Sequence, residues 1–457
     1  MTKSHGNKDY YGGKMFKHKL RIAFDELIRE RNSGGNILLE AVSLLLIGVM
    51  LFIVDMNIYN EKTVSNILVS DLDNTGIISI EDDNNYDKYE TMEGYERFKK
   101  EYMQRFNIFL NELNNYKGID AAIEYQWSDM SIDLYTDTNG NKVFSESFNI
   151  AKQTYESYTM FTEDEIGRNI STLCVGRDYN KLFKIDVITD YTEDEENEIF
   201  SKYTGIIYMG DALEHIEPGT VITSEFGETY IVGGTIKKGD KMPKIEDVSG
   251  QATAYEIMDY KILIVRNMIE VPEKICFKLK DGYSMNDLKN EMSILGRKMN
   301  YTLAAKNFKV IFDTIGFKNK TFVNYIKQIL YIIMITVIVL QVSMQVVHLL
   351  ENFGNYGILY ANGFSAGDHY FIFLIQNILK GIIAFFIALG AGYLILEFMY
   401  TDIVSKYTMR ILYNVVLKYI LWKVALCAFA ITIFTAIIAI VLFKRKSPAI
   451  LIKESKK

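Results

Sequence analysis

At 457 residues the chain has room for more than one domain, and its mean hydropathy of +0.04 averages two unlike populations. A net charge of −7 gives no basic footprint for nucleic acid. No G-x-x-x-x-G-K-S/T, H-E-x-x-H, zinc-type Cys/His cluster or G-x-S-x-G elbow occurs, and only 5 histidines are present. The chain therefore lacks a P-loop for ATP phosphates and the common metal or serine hydrolase signatures. Carboxylates are abundant, but nothing singles out a pair.

In chain order, residues 1–13 are polar and glycine-bearing and read as disordered. Residues 16–31 carry Phe16, Leu20, Ala23, Phe24, Leu27 and Ile28 at helical spacing, with basic flanks. That pattern predicts an amphipathic helix on the inner membrane face, or one that touches a partner below the membrane. Four apolar segments reach the roughly 20 residues that span a bilayer as helix. They are Ile37 to Ile58, Tyr325 to Leu350, about Leu374 to Phe398, and Leu421 to Phe443. The first is too long, and too far from the start, to be a cleavable signal peptide.

Residues 59–320, between the first two spans, alternate strand and helix patterns and predict a large α+β domain. Ile67 to Val69 and Ile77 to Ile80 read as strands around an Asp-Asn-Thr-Gly turn. Met92 to Leu113 reads as a long helix with Tyr95, Phe98, Tyr102, Phe106, Phe109 and Leu110 on one face. Ala121 to Trp127 and Ser131 to Tyr135 are strand-like, and Asn139-Gly140 is a hairpin turn signal. Val221 to Thr223 and Thr229 to Val232 form a second hairpin pattern, and Lys261 to Arg266 and Ile275 to Leu279 are further strands. Ser284 to Met299 predicts a helix opened by a Ser284/Asp287 capping box. Asp71 to Asp82 has acids at positions one and three and Gly76 at six, the start of an EF-hand pattern that then fails at Thr75 and Asp82. A solvated β-turn is the plainer reading. Cys174 and Cys276 lie in this region, where a disulfide is permitted but not specified by the sequence.

Charge separates the two populations. Residues 57–320 hold 30 basic and 46 acidic residues, a net of −16, and the rest of the chain has a net of +9. An acidic domain outside and basic ends inside is what the positive-inside rule predicts, and an even number of spans agrees. The loop 400–420 conflicts, because it carries Lys406, Arg410 and Lys418 yet must lie outside. On this topology His215 is the one external histidine. Gln341, Gln345 and His348 share one face of the second span and read as a helix-packing stripe. Lys380 reads as a snorkelling residue near the inner interface.

The stretch from Glu351 to Leu379 organises the rest. Gly357 to Phe364 predicts a short helix stopped at Gly363, and Ser365 can cap a second helix from Ala366 that runs into the third span. On the residues alone this is a loop between two spans. With Gly357, Ile358, Ala361, Gly363, Ala366, Asp368 and Phe373 to Gln376 it also resembles the cytoplasmic coupling loop of FtsX/MacB-type ABC transporter permeases. It departs from them at Tyr356, Leu359 and Gln376. Thr192 to Glu196, Gly205 to Gly210, Ile216 to Ile222 and Tyr230 to Gly234 follow an order similar to the external domains of these permeases. Ser447 to Glu454 is similar to their terminal signature.

The resemblance implies an α-helical membrane protein with four transmembrane helices and a large α+β extracytoplasmic domain between helices 1 and 2. The expected segments are 1–35 cytoplasmic, 36–58 helix 1, 59–320 extracytoplasmic, 321–350 helix 2, 351–373 coupling loop, 374–399 helix 3, 400–420 external loop, 421–443 helix 4 and 444–457 cytoplasmic tail. It implies a non-catalytic subunit of the bacterial cytoplasmic membrane, with no cofactor of its own, since ATP and Mg belong to a partner ABC ATPase dimer. A second permease copy, homo- or heterodimeric, is implied, together with an extracytoplasmic peptide or protein partner. Gly357, Ile358, Ala361, Gly363, Phe364, Ser365 and Asp368 would face the ATPase. Export or expulsion of a peptide, antimicrobial or lipid-linked molecule is the expected use. Control of an external cell-wall hydrolase, or a receptor that needs no ATPase, are the alternatives.

Overall fold

The computed structural model describes residues 18–25, 28, 33–82, 92–145, 163–164, 167–189, 191–213, 216–244, 254–267, 269, 272, 274–314, scattered positions from 325 to 347, 353–400 and 406–444. The chain divides into two compact units. One comprises residues 57–320 with 400–411, and the other the remainder.

Residues 18–25 form helix α1. Helix α2, Ser33–Ile67, is 35 residues long and contributes to both units. At 1.5 Å per residue it reaches roughly 52 Å, well beyond the ~30 Å of a hydrocarbon core. The strand expected at Ile67 to Val69 is instead the end of this helix followed by a bridge from Leu68 to Phe183. Tertiary burial explains the difference, since Val64, Ile67 and Leu68 all enter the core of the larger unit.

The larger unit then runs β1 (Thr75–Asp82), α3 (Met92–Asn115), β2 (Ile119–Ser131), β3 (Tyr135–Asp137), β4 (Glu163–Asp164), β5 (Gly167–Gly176) and β6 (Val187–Thr189). It continues with α4 (Glu193–Lys202), β7 (Gly205–Gly210), β8 (Val221–Ser224), β9 (Thr229–Ile236), β10 (Lys241–Pro243), β11 (Tyr255–Ile257) and β12 (Ile262–Arg266). Last come β13 (Lys274–Leu279), α5 (Met285–Met299), β14 (Tyr301–Asn307) and α6 (Phe308–Thr314).

One mixed sheet runs β14-β1-β13-β2-β5-β12-β7-β9-β8-β3, with β10 and β11 paired apart from it. Its first four strands are all antiparallel. With α3 and α5 they give the order β-α-β…β-α-β, the split βαβ pattern of ferredoxin-like folds. The other lobe is inserted between β2 and β13. Strand β2 joins the two parts, pairing with β13 over residues 119–124 and with β5 over 125–131. The strand expected at Ala121 to Trp127 is longer than the sequence pattern suggested, and the one expected at Ser131 to Tyr135 is instead mostly a 3-10 turn at Ile132–Leu134 between β2 and β3.

The α3 face predicted from spacing is the buried one. Phe98, Tyr102, Phe106, Phe109 and Leu113 pack with Leu288, Met292 and Leu295 of α5 against Ile78, Ile275 and Phe277 of the sheet. The box that opens α5 is present, with Ser284 Oγ accepting from Asp287 N–H. The EF-hand reading is overturned. Residues 75–82 are a paired strand, so the would-be ligands alternate between sheet faces, and Asp71 accepts from Asn74 N–H at 2.7 Å to close a turn. Cys174 and Cys276 are unbridged, since Cys276 lies in the core that Val64 and Ile67 enter while Cys174 packs against a separate cluster around Ile264.

Glu124 on β2 is 3% exposed, and burial pushes its carboxyl up to about 7, opposed by a backbone hydrogen bond from Ile269. Gly176 makes room for it, because a Cβ there would meet Glu124 Oε2 at 2.7 Å. A raised folded pKa favours the protonated form. Glu124 thus costs the fold nothing on this account at low pH, and stability declines as pH rises from about 4.5 towards 7, by at most about 1.4 kcal/mol per pH unit. Thermal unfolding of the full chain should show Glu124→Gln with a higher Tm than wild type at pH 8 and no gain at pH 4.5.

Candidate functional site

Past residue 350 the chain forms α7 (Phe353–Ala361), α8 (Ala366–Tyr400), α9 (Lys406–Val415), a π-helical turn at Val416–Ile420, and α10 (Leu421–Lys444). Helices α2, α8 and α9–α10 contain segments long and apolar enough to cross a membrane. The second expected span falls mostly outside the described residues. Those of its positions that are described, among them Tyr331, Thr336 and Ser343, are helical. The expected loop 400–420 is helical from Lys406 onward, because Met409, Leu412 and Val415 recur on one buried face. Gln341, Gln345, His348 and the segment Ser447 to Glu454 lie outside the described residues.

The turn between α7 and α8 is built by local chemistry. Gly363 has φ +89, open to glycine and strained for other residues. Phe364 N–H reaches back to Leu359 O at 3.1 Å and Gly363 N–H to Tyr360 O at 3.0 Å, the two bonds of a Schellman stop. Ser365 then caps α8. Asp368 N–H donates to Ser365 Oγ at 3.3 Å, while Asp368 Oδ2 accepts from Ser365 N–H at 2.8 Å and from its hydroxyl at 2.7 Å. A negative charge in the first turn also suits the helix dipole.

The predicted residues share this one turn but not one environment. Ile358, Ala361, Gly363 and Ser365 are exposed, Phe364 and Asp368 are half-buried, and Gly357 is buried. Sequence reasoning missed five more: Tyr360, His369 and Phe371 beside the turn, and His18 and Lys19 of α1. His369 is fully buried, with its ring 4.6 Å from that of Tyr360 and 6.3 Å from that of Phe364. From α1, His18 faces the Phe364 ring at 6.3 Å, and Lys19 forms an ion pair with Asp368 Oδ1 and lies 5.7 Å from the Phe371 ring centroid. No local pattern links positions 19 and 368. The only sequence hint was that the first helix carried basic residues beside its apolar stripe.

Behind the turn, α2, α8 and α10 pack through small residues, among them Ala41, Ala384, Ala388 and Ala428. A polar seam runs through this contact. Glu40 and Ser43 of α2, Gln376, Asn377 and Lys380 of α8, and Thr432 of α10 are all buried. A Cβ on Gly381 would meet Thr432 Oγ1 at 3.2 Å and Glu40 Oε1 at 3.3 Å, which places the three helices around that residue. Lys380 does not snorkel. It is 1% exposed. Further along, Lys423 of α10 donates to both oxygens of Asp55 on α2, at 2.6 and 2.7 Å.

The larger unit has a cleft of about 550 Å³ on the face of β2, β5 and β12, lined by Gln126, Ser128, Thr172, Tyr135, Phe226 and Arg266 among others. Arg266 is already paired with Glu228 at 2.9 Å and lies over the Tyr230 ring at 5.0 Å. Among the described residues, no group of three His, Cys, Asp or Glu is placed to hold a metal ion.

These features define a membrane protein with a separate α/β unit and a capped turn between apolar helices. Residues 328–448, which include the whole turn, match the family described as FtsX-like permease C-terminal. The likeness to FtsX/MacB-type permeases drawn from the sequence is supported by that match. No curated protein sequence matches the chain. Among solved structures, the periplasmic region of MacB from Actinobacillus actinomycetemcomitans is similar at 11% identity, over 53% of this chain and 92% of that one, with a TM-score of 0.29. The extracellular domain of the noncanonic ABC-type transporter YknZ from Gram-positive bacteria is similar at 13% identity, over 50% and 100%, with a TM-score of 0.27.

The Asp55–Lys423 pair can be tested directly. Removing one partner strands a charge in a mostly buried site, a loss on the order of 3 kcal/mol, whereas removing both does not. Lys423→Met should lower the detergent melting temperature clearly, and Asp55→Asn combined with Lys423→Met should recover most of it.

Proposed function

We propose that the chain is the membrane subunit of an ABC-type transporter, driven by a separate ABC ATPase and without hydrolytic activity of its own. The observation that carries this reading is the turn. A glycine-stopped helix and a capping box, presenting exposed Ile358, Ala361 and Ser365, lie inside the region that matches the permease family. Such a turn is a rigid handle for a partner to push. Gly357, Ile358, Ala361, Gly363, Phe364, Ser365 and Asp368 would form that handle.

Helix α2 supplies a route for the motion. It is unbroken over 35 residues, with Ala41 and Leu44 in the helix-bundle core and Val64 and Ile67 in the core of the larger unit. A displacement at one end of a continuous helix is felt at the other, so cargo need not cross the bilayer. Two copies of the chain would work with two ATPase copies in the bacterial cytoplasmic membrane, both termini inside. The use we favour is export or expulsion of a peptide, antimicrobial or lipid-linked molecule.

Sidedness is checked with single-cysteine variants at Asn139 and Asn362, both exposed. A membrane-impermeant maleimide on intact cells should label position 139 and leave position 362 unmodified until the cells are opened. Labelling of position 362 from outside sinks the four-span arrangement.

Coupling is checked at Gly363. A Cβ there meets nothing within 4 Å, so Gly363→Val acts through backbone strain alone, on the order of 1–2 kcal/mol. The variant should insert normally yet lose most ATPase co-purification and ATP-dependent activity. Wild-type levels of all three would show that the turn is not a coupling element.

A further inference from the structure

Helix α1 has two sides that do different things. Phe24 is 46% exposed, and Ile28, helical and just past α1 in the chain, is 78% exposed; both are apolar with nothing described against them and suit the lipid interface. The other side carries His18, Lys19 and Ala23. Ala23 is fully buried, and His18 and Lys19 meet Phe364, Asp368 and Phe371 at the α7–α8 turn. The ion-paired side chains are only 17% and 13% exposed, so solvent screens the pair weakly.

Asp368 thus has two tasks. Its Oδ2 closes the capping box with Ser365, a bond set that is local and does not need α1. Its Oδ1 takes Lys19, the one charged group from α1 placed on it. We propose that Lys19 is a positioning residue for the turn: α1, seated in the lipid interface through Phe24 and Ile28, holds the first turn of α8 through the Lys19–Asp368 pair. A push on the turn then moves against a lipid-anchored helix rather than freely. This rests on the permease reading and deepens it, by making the N-terminal helix part of the coupling element.

The test uses the full chain in nanodiscs with the ATPase that co-purifies with it. Lys19→Met should lower the kcat of coupled ATP hydrolysis about fivefold or more, with KM for ATP and co-purification unchanged, while the melting temperature falls because Asp368 loses its partner. Lys19→Arg, which keeps the charge, should restore turnover. Asp368→Asn keeps an acceptor for Ser365 and should lower turnover as Lys19→Met does, and the two combined should lower it no further than the more affected of the two. Cysteines at positions 18 and 364 should be joined by a short bis-maleimide, which reads the docking without any ATPase.

Wild-type turnover in Lys19→Met, multiplying effects in the double variant, or no cross-link overturns the proposal. If the wild-type chain itself leaves ATPase turnover unchanged, the permease reading falls and this proposal with it. If the wild-type chain and Lys19→Met change turnover alike, only this proposal falls.

Discussion

A helix that ends leaves backbone groups without partners, so a chain can reverse direction sharply only where caps are supplied. The turn between α7 and α8 meets that demand with three residues. Gly363 takes the left-handed conformation that ends one helix, and Ser365 and Asp368 close the start of the next. Because all five of these backbone and side-chain bonds are local, the geometry of the turn is set by its own few residues.

The apolar helices show a second constraint. A charged side chain inside a bundle needs a partner, and Lys423 of α10 finds one in Asp55 of α2. Hydrophobic matching alone would let α2 slide or rotate against its neighbours. The two-oxygen ion pair restricts that freedom, because only a register that brings Lys423 to Asp55 satisfies both charges.

Signals confined to a few residues were legible in the sequence. The Gly363 stop, the Ser365 and Ser284 caps, the buried face of α3 and the hairpin around Gly227 all rest on local chemistry, and each is present. Features decided by tertiary partners were not. Strand β2 looked as if it ended at Trp127 because Ser128 to Met130 interrupt its apolar pattern, yet its pairing with β5 carries it on to Ser131, and the strand expected after it is mostly a 3-10 turn. Ile67 looked like strand and is helix. Lys380 looked free to reach the interface, since composition gives the depth of a residue but not its neighbours. The Lys19–Asp368 contact joins opposite ends of the chain, beyond the reach of any periodicity.

The insertion of one lobe inside another shapes how the larger unit can be made. Among the described residues, strand β1 pairs with β13 and β14, which lie about two hundred residues or more later in the chain. Until those strands arrive, β1 has two bare edges and α3 has no sheet to cover. The lobe between β2 and β13 can form its own hairpins and parallel pairings first, but the split βαβ part must wait for the end of the domain. Long-range pairing of this kind is slow, and unpaired edges invite association between chains. A chain threaded outward from its N-terminal end would therefore leave β1 exposed for most of its passage, and its environment during that interval is as much a condition of the fold as the contacts that finally close it.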